Sequence, residues 1–144
     1  MSKQPRVGGV VISHGQVAIE LVAAAEAVVG NLSHITAVSL GWHDDLDLVN
    51  EEISRAIDNV SQGRGVLLLT DMFGGTPTNL AATFLQPGSV ELVTGVNLPM
   101  VIKLASAPAD VDLTDLAQEV EEQGKRAIHR ASPLLESQRL KKDA

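Results

Sequence analysis

Val66-Leu67-Leu68-Leu69-Thr70-Asp71-Met72-Phe73-Gly74-Gly75-Thr76-Pro77-Thr78-Asn79 passes from one kind of structure to another within fourteen residues. Its first five positions are apolar or β-branched without polar alternation, which reads as a strand buried on both faces. Asp71 to Gly75 form a turn, and Thr76 as N-cap with Pro77 at the first helical position opens a helix. The same unit recurs outward in both directions. Val7 to Ile12 reads as a strand ending at Ser13-His14-Gly15, and a helix over 18–29 stops at Gly30-Asn31. Ile35 to Leu40 is a second strand, Asp45 or a neighbour caps a helix over 46–60, and Gly63-Arg64-Gly65 leads back into the strand that begins at Val66. Beyond it, the helix opened at Thr76 runs to Gln86-Pro87-Gly88, and Val90 to Thr94 is a fourth strand. Pro99 sits in the first turn of a short helix to Ala105, and Asp112 caps a last helix to about Gln123.

Strict alternation of strand and helix predicts an α/β fold: a doubly wound, mostly parallel open sheet of four strands, covered by helices on both faces with right-handed crossovers. Arg126 to Ser132 is expected to add a short edge strand. Residues 1–132 then form a single domain, and 133–144 a polar, frayed tail.

Composition narrows the chemistry. The chain has 144 residues, 44% hydrophobic and 20% charged, the mix of one ordinary globular domain. No apolar run approaches the ~18 residues of a membrane span, and MSKQPR lacks the apolar stretch of a signal peptide, so a cytoplasmic location is expected. The absence of cysteine excludes disulfides, thiolate nucleophiles and Cys-type zinc sites. A net charge of -7 with 2% aromatic residues argues against a nucleic-acid binder.

Four histidines remain as candidates for chemistry. In open α/β sheets ligands bind beyond the carboxyl ends of the strands, where the winding direction reverses. If the first and third strands flank that point, His14 and Asp71 face each other. A carboxylate that accepts a hydrogen bond from one ring nitrogen of a neutral histidine leaves the other nitrogen's lone pair free, which makes His14 a potential nucleophile and Asp71 its orienting partner. A lone His–Asp pair is as often a structural contact at a strand end. Gly74 and Gly75 add a close backbone approach, and Thr76 a hydroxyl at a helix start that suits an anion such as a phosphoryl group. That start alone is only an ordinary strand-to-helix turn; the three features together are far more specific. Ser13 alternates to the opposite face, so a serine triad is set aside.

Ser13-His14-Gly15-Gln16, the segment from Leu69 to Asn79, and Gly95-Val96-Asn97-Leu98-Pro99-Met100 together resemble the IIA component of the mannose/fructose family of the bacterial phosphoenolpyruvate-dependent sugar phosphotransferase system (PTS). The likeness runs from about Val7 to Ala127. It implies an EIIA phosphotransferase with a phosphohistidine intermediate: His14 takes a phosphoryl group from the carrier protein HPr and passes it to a IIB component in sugar transport. Asp71 corresponds to the orienting carboxylate, and Thr76 stands near the phosphate. It also implies that the last strand of the sheet is antiparallel and exchanged within a homodimer, a role that Arg126 to Ser132 fits. The chain ends without a fused IIB domain, so the expected IIB is a separate protein and contact with a membrane is only indirect, through a permease complex. No cofactor and no metal are called for.

Other residues read more plainly. Trp42-His43-Asp44-Asp45 follows the second strand on the His14 rim, and a solvated loop with a helix cap is a better reading than a metal site. His34 and His129 are structural or surface residues. Met72 and Phe73 suit partner docking or burial against the next helix, and Asn97 is expected as another wall of the site. Asp115, Glu119, Glu121 and Glu122 form the wet face of the last helix. A histidine phosphatase would need arginines around the phosphate, yet Arg55 belongs to a helix and Arg64 to the far end of the sheet. The alternative that shares the site is a regulatory phospho-switch of a PTS without a transporter, binding partners according to the phosphorylation of His14.

Overall fold

A computed structural model describes residues 4–41 and 44–143, without the side chains of the last four. Four strands, β1 (Gly8–His14), β2 (Ile35–Leu40), β3 (Val66–Thr70) and β4 (Val90–Thr94), pair in parallel in the order β2-β1-β3-β4. Their helices are α1 (Val17–Val29), α2 (Leu46–Val60), α3 (Thr76–Ala82), α4 (Leu98–Ala105), α5 (Leu113–Arg126) and α6 (Ala131–Asp143).

Successive strand residues point to opposite faces, and both faces are covered, which is why the strands carry unbroken apolar runs. Val11, Leu67 and Leu69 pack with Leu104, Leu116 and Val120 of α4 and α5 on one side. Val10, Ile12 and Leu68 pack with Val49, Ile53 and Ala81 of α2 and α3 on the other. Each such fully buried aliphatic side chain contributes about 1.5–3 kcal/mol of transfer free energy, so the two layers hold the sheet as a rigid platform. Side-chain caps set the starts of three helices: Asp45 accepts from the Asp47 N–H at 2.9 Å, Asn97 from Met100 at 3.1 Å and Asp112 from Asp115 at 2.8 Å.

The chain moves from β1 outward to β2, then crosses to the other side of β1 to begin β3 and β4. The reversal lies between β1 and β3, so His14 and Asp71 leave the sheet side by side.

Four expectations change. The helix from Thr76 ends at Ala82, because the chain turns through Thr83 to Leu85 before the bridge between Gln86 and Val90. Thr76 is its first helical residue, not its cap; Gly75 holds the cap position and supplies no side-chain bond. The fifth, antiparallel strand over Arg126 to Ser132 does not form in the chain's own sheet. Arg126 closes α5, and Ala131 already opens α6, helped by Pro133 in its first turn and the helix-forming Leu134, Leu135 and Glu136. Among the described residues Ala127 to Arg130 pairs with no strand, and beyond the bridge of Val90 to Gln86 no strand covers the outer edge of β4. The segment from 133 onward is therefore helical through Asp143 rather than frayed.

Candidate functional site

Asp71 follows the last residue of β3, where its carboxylate reaches across to the end of β1. Its Oδ2 accepts the backbone N–H of His14 at 2.9 Å and lies 2.7 Å from His14 Nδ1, while Oδ1 accepts the Met72 N–H at 3.0 Å. Burial alone would push this carboxyl up. The His14 backbone N–H, the hydrogen bond from its ring and the electrostatic attraction between the two side chains outweigh it and hold Asp71 below the usual carboxylate range. An ionised carboxylate can only accept, so Nδ1 carries a proton, and in the neutral form of the ring the lone pair is therefore on Nε2. The His14 side chain is 51% exposed and Asp71 18%, so the imidazole faces outward over a better-protected carboxylate.

Gly75 shapes the other side of the ring. A Cβ built there would stand 2.9 Å from His14 Cε1 and 3.4 Å from Nε2, so the need for glycine is room for the imidazole. Gly74 has a positive φ of 87° and open space around it, as the turn requires. Thr76 joins His14, Leu40, Gly41 and Asp44 in lining a cleft of about 560 Å³. In the first turn of α3, Thr76 and Thr78 have no intrahelical carbonyl for their N–H groups, Pro77 has no N–H, and Asn79 is the first to bond back, to Gly75 O at 3.0 Å. Met72 and Phe73 are 54% and 82% exposed, which settles the choice between burial and display in favour of display.

Asn97 is not part of this constellation. It caps α4, donates from Nδ2 to Gly124 O at 3.2 Å, and lines a neighbouring hollow with Gly95 and Ile128. Asp44 folds back onto the Gly41 N–H, and Trp42 and His43 lie outside the described residues. No cluster of metal-ligating side chains occurs among the described residues. His34 is buried, whereas His129 is exposed. Arg55 sits within α2, and Arg64 precedes β3 at the opposite pole, so neither reaches the cleft.

Two supports escape a reading of the sequence. The buried Ser13 hydroxyl donates to the His14 backbone carbonyl at 3.1 Å and accepts the Ala18 N–H at 2.7 Å, satisfying a first-turn donor of α1 that Gln16 leaves unserved. Thr78 Oγ1 donates to Met72 O, and therefore accepts from Thr70 Oγ1 at 2.7 Å. This buried chain of hydroxyls ties the Asp71–Gly75 turn to both β3 and α3. A polar Thr70 ending an apolar strand, eight residues before another threonine, is the only sequence signal of it.

The arrangement can present one unprotonated imidazole nitrogen, oriented by an ionised carboxylate, to an electrophile arriving from solvent beside a helix start. The model of EIIA-man, the PTS system fructose IIA component, matches residues 8–121. The chain is 27% identical over 128 residues to the fructose-specific EIIA component of Bacillus subtilis, covering 88% of each. It is 27% identical over 130 residues to the mannose-specific EIIAB component of Escherichia coli K12, covering 87% of this chain and 40% of that longer protein. Among solved structures, the mannose/sorbose specific IIA subunit of Enterococcus faecalis superposes with a TM-score of 0.77 at 28% identity, over 87% of this chain and 94% of that one. With the fold, the His14 rim and these likenesses in agreement, the chain belongs to the mannose/fructose EIIA family of PTS phosphotransferases.

Proposed function

We propose that the protein is a phosphoryl relay that receives a phosphoryl group on His14 Nε2 from the phosphohistidine of HPr and delivers it to a IIB component. The observation that carries this reading is the 2.7 Å contact of His14 Nδ1 with Asp71 Oδ2, which leaves Nε2 as the free nitrogen. In the transfer, the Nε2 lone pair forms a bond to phosphorus as the donor's P–N bond breaks, and the donor imidazole keeps the electron pair. Asp71 holds the Nδ1 proton throughout and offsets the positive charge that builds on the ring. Onward transfer reverses the same step on the acceptor. Gly74, Gly75 and Thr76 border the space for the phosphoryl oxygens, and Met72 and Phe73 form the apolar contact for the docking protein. Among the described residues no arginine lines the cleft, which suits a group that must leave again rather than be clamped.

The same reading makes the protein a homodimer in which residues 127–130 pair antiparallel along the partner's open β4 edge. The unladdered backbone there and Ile128, 78% exposed, support it. Residues 1–132 act as the domain and 133–144 as its appendage. A cytoplasmic place fits the lack, among the described residues, of any helix long and apolar enough to cross a membrane.

The test is to incubate wild type and His14→Ala with phosphoenolpyruvate, enzyme I and HPr, measure acid-labile phosphate, then chase with IIB proteins. The relay requires label on wild type alone and its movement to a IIB. Label that stays on His14 identifies a phospho-switch instead, and equal labelling of both proteins removes His14 from the mechanism.

A further inference from the structure

At the pole opposite His14, where β1, β3 and β4 begin, two turns and the start of α5 enclose a second cleft of about 460 Å³, within the ~300–1,000 Å³ range of small-molecule sites. The seven residues of β1 at ~3.3 Å each put roughly 20 Å between the two clefts. Among the described residues, only two ionisable side chains line it, Arg64 and Asp112.

Arg64 is half-buried and fixed in place. It stands between Gly63 and Gly65, both with positive φ (84° and 91°), and a Cβ at Gly65 would meet Leu113 Cδ2 at 2.9 Å. Its Nη2 donates to Val111 O at 2.8 Å, and its Nε is buried without an acceptor. No carboxylate among the described residues pairs with it, since the Asp112 Oδ1 is engaged by the Asp115 N–H. Nη1 is left as the guanidinium nitrogen open to an incoming acceptor. A partly desolvated cation without an ion-pair partner is unfavourable by itself, and an oxyanion at Nη1 supplies the missing countercharge. The first-turn N–H groups of α5 add partial positive charge on the same wall. Asp112 opposes ligands of high negative charge, which restricts the site to one anionic group.

The geometry points to a second binding site, centred on Arg64 and separate from His14, for a small metabolite bearing one carboxylate or phosphate group. The test is to titrate the ¹⁵N-labelled full chain with lactate and, separately, with inorganic phosphate at constant ionic strength, using chloride as the control. The site predicts saturable shifts at Gly65, Ser89, Leu113 and the Arg64 Nε–H for at least one probe, with Gly74 and Gly75 reporting the His14 cleft independently. The probe that saturates at lower concentration identifies the group. Arg64→Gln should weaken binding at least tenfold, and Arg64→Lys less. Should Arg64→Gln fail to fold, the Arg64 Nε–H of the wild type decides: if it does not move saturably, the proposal fails. Absence of saturation with both probes, shifts that persist in Arg64→Gln, or equal shifts with chloride, meaning an adventitious ion only, would also overturn it.

Discussion

Asp71 Oδ2 accepts two hydrogen bonds from a single residue, the backbone N–H of His14 at 2.9 Å and its ring Nδ1 at 2.7 Å. One oxygen thus joins the end of β1 to the turn after β3 and sets the tautomer of the exposed imidazole. The contact that closes the switch point of the sheet is also the contact that fixes the orientation of the His14 ring.

Asp71→Asn keeps the shape but not the obligatory acceptor, and an amide can present either oxygen or NH₂ to the ring. Phosphoryl transfer from HPr is expected to fall about 10–100-fold, the usual effect of losing a group that orients a histidine. Stability should drop by only about 1 kcal/mol. Stopped-flow phosphorylation and thermal unfolding separate the two effects; an unchanged rate would take Asp71 out of the mechanism.

The pH dependence of stability follows from the same pair. Asp71 titrates lower in the folded protein than in the unfolded chain, where its pKa is about 4. Its contribution is therefore fully present above pH ~4 and disappears as the pH falls through the folded value. Melting curves between neutral pH and pH 3 should show a decline that Asp71→Asn flattens. Parallel declines in both proteins would mean that other carboxylates dominate.

Gly75→Ala places a methyl group 2.9 Å from His14 Cε1 at a φ of -91°, which alanine adopts freely. The backbone is not strained, so the ring must move. A several-fold loss of transfer rate with little change in melting temperature is expected, together with altered His14 ring resonances. A rate equal to wild type would show that the ring has room the static geometry does not reveal.

Thr78→Val preserves volume but leaves the Thr70 hydroxyl and the Met72 carbonyl without their partner, at a cost of about 1–3 kcal/mol. Because Met72 follows Asp71, transfer should slow as well. Thr78→Ser, which keeps the hydroxyl, should retain the rate. If Val and Ser variants transfer equally, the hydroxyl chain has no part in positioning the turn.

The sheet was legible because each strand announces itself by an apolar run that only burial on both faces explains, as in Val66 to Thr70. The pairing of His14 with Asp71 was legible from topology, since the ends of β1 and β3 must meet at the reversal. Short-range choices were less so. Whether Thr76 or Gly75 caps α3 depends on one residue's backbone angles, which propensity does not resolve. Asn97 matched the rim by position, but its side chain is committed to the α4 N-terminus and to Gly124. Thr78 was missed because its role needs Thr70 and Met72 brought together in space. The strand expected at Arg126 to Ser132 loses both its ends to helix, because Arg126 closes α5 and Ala131 opens α6, a competition between neighbours that apolar patterning does not resolve.

The central claim is that the phosphoryl group sits on His14 Nε2. Nuclear magnetic resonance of the ¹⁵N-histidine-labelled protein after phosphorylation by HPr tests it directly, through ³¹P coupling to one ring nitrogen. Coupling to His14 Nε2 is expected, with Nδ1 still protonated toward Asp71; phosphate on Nδ1, on another histidine, or on none would overturn the relay mechanism.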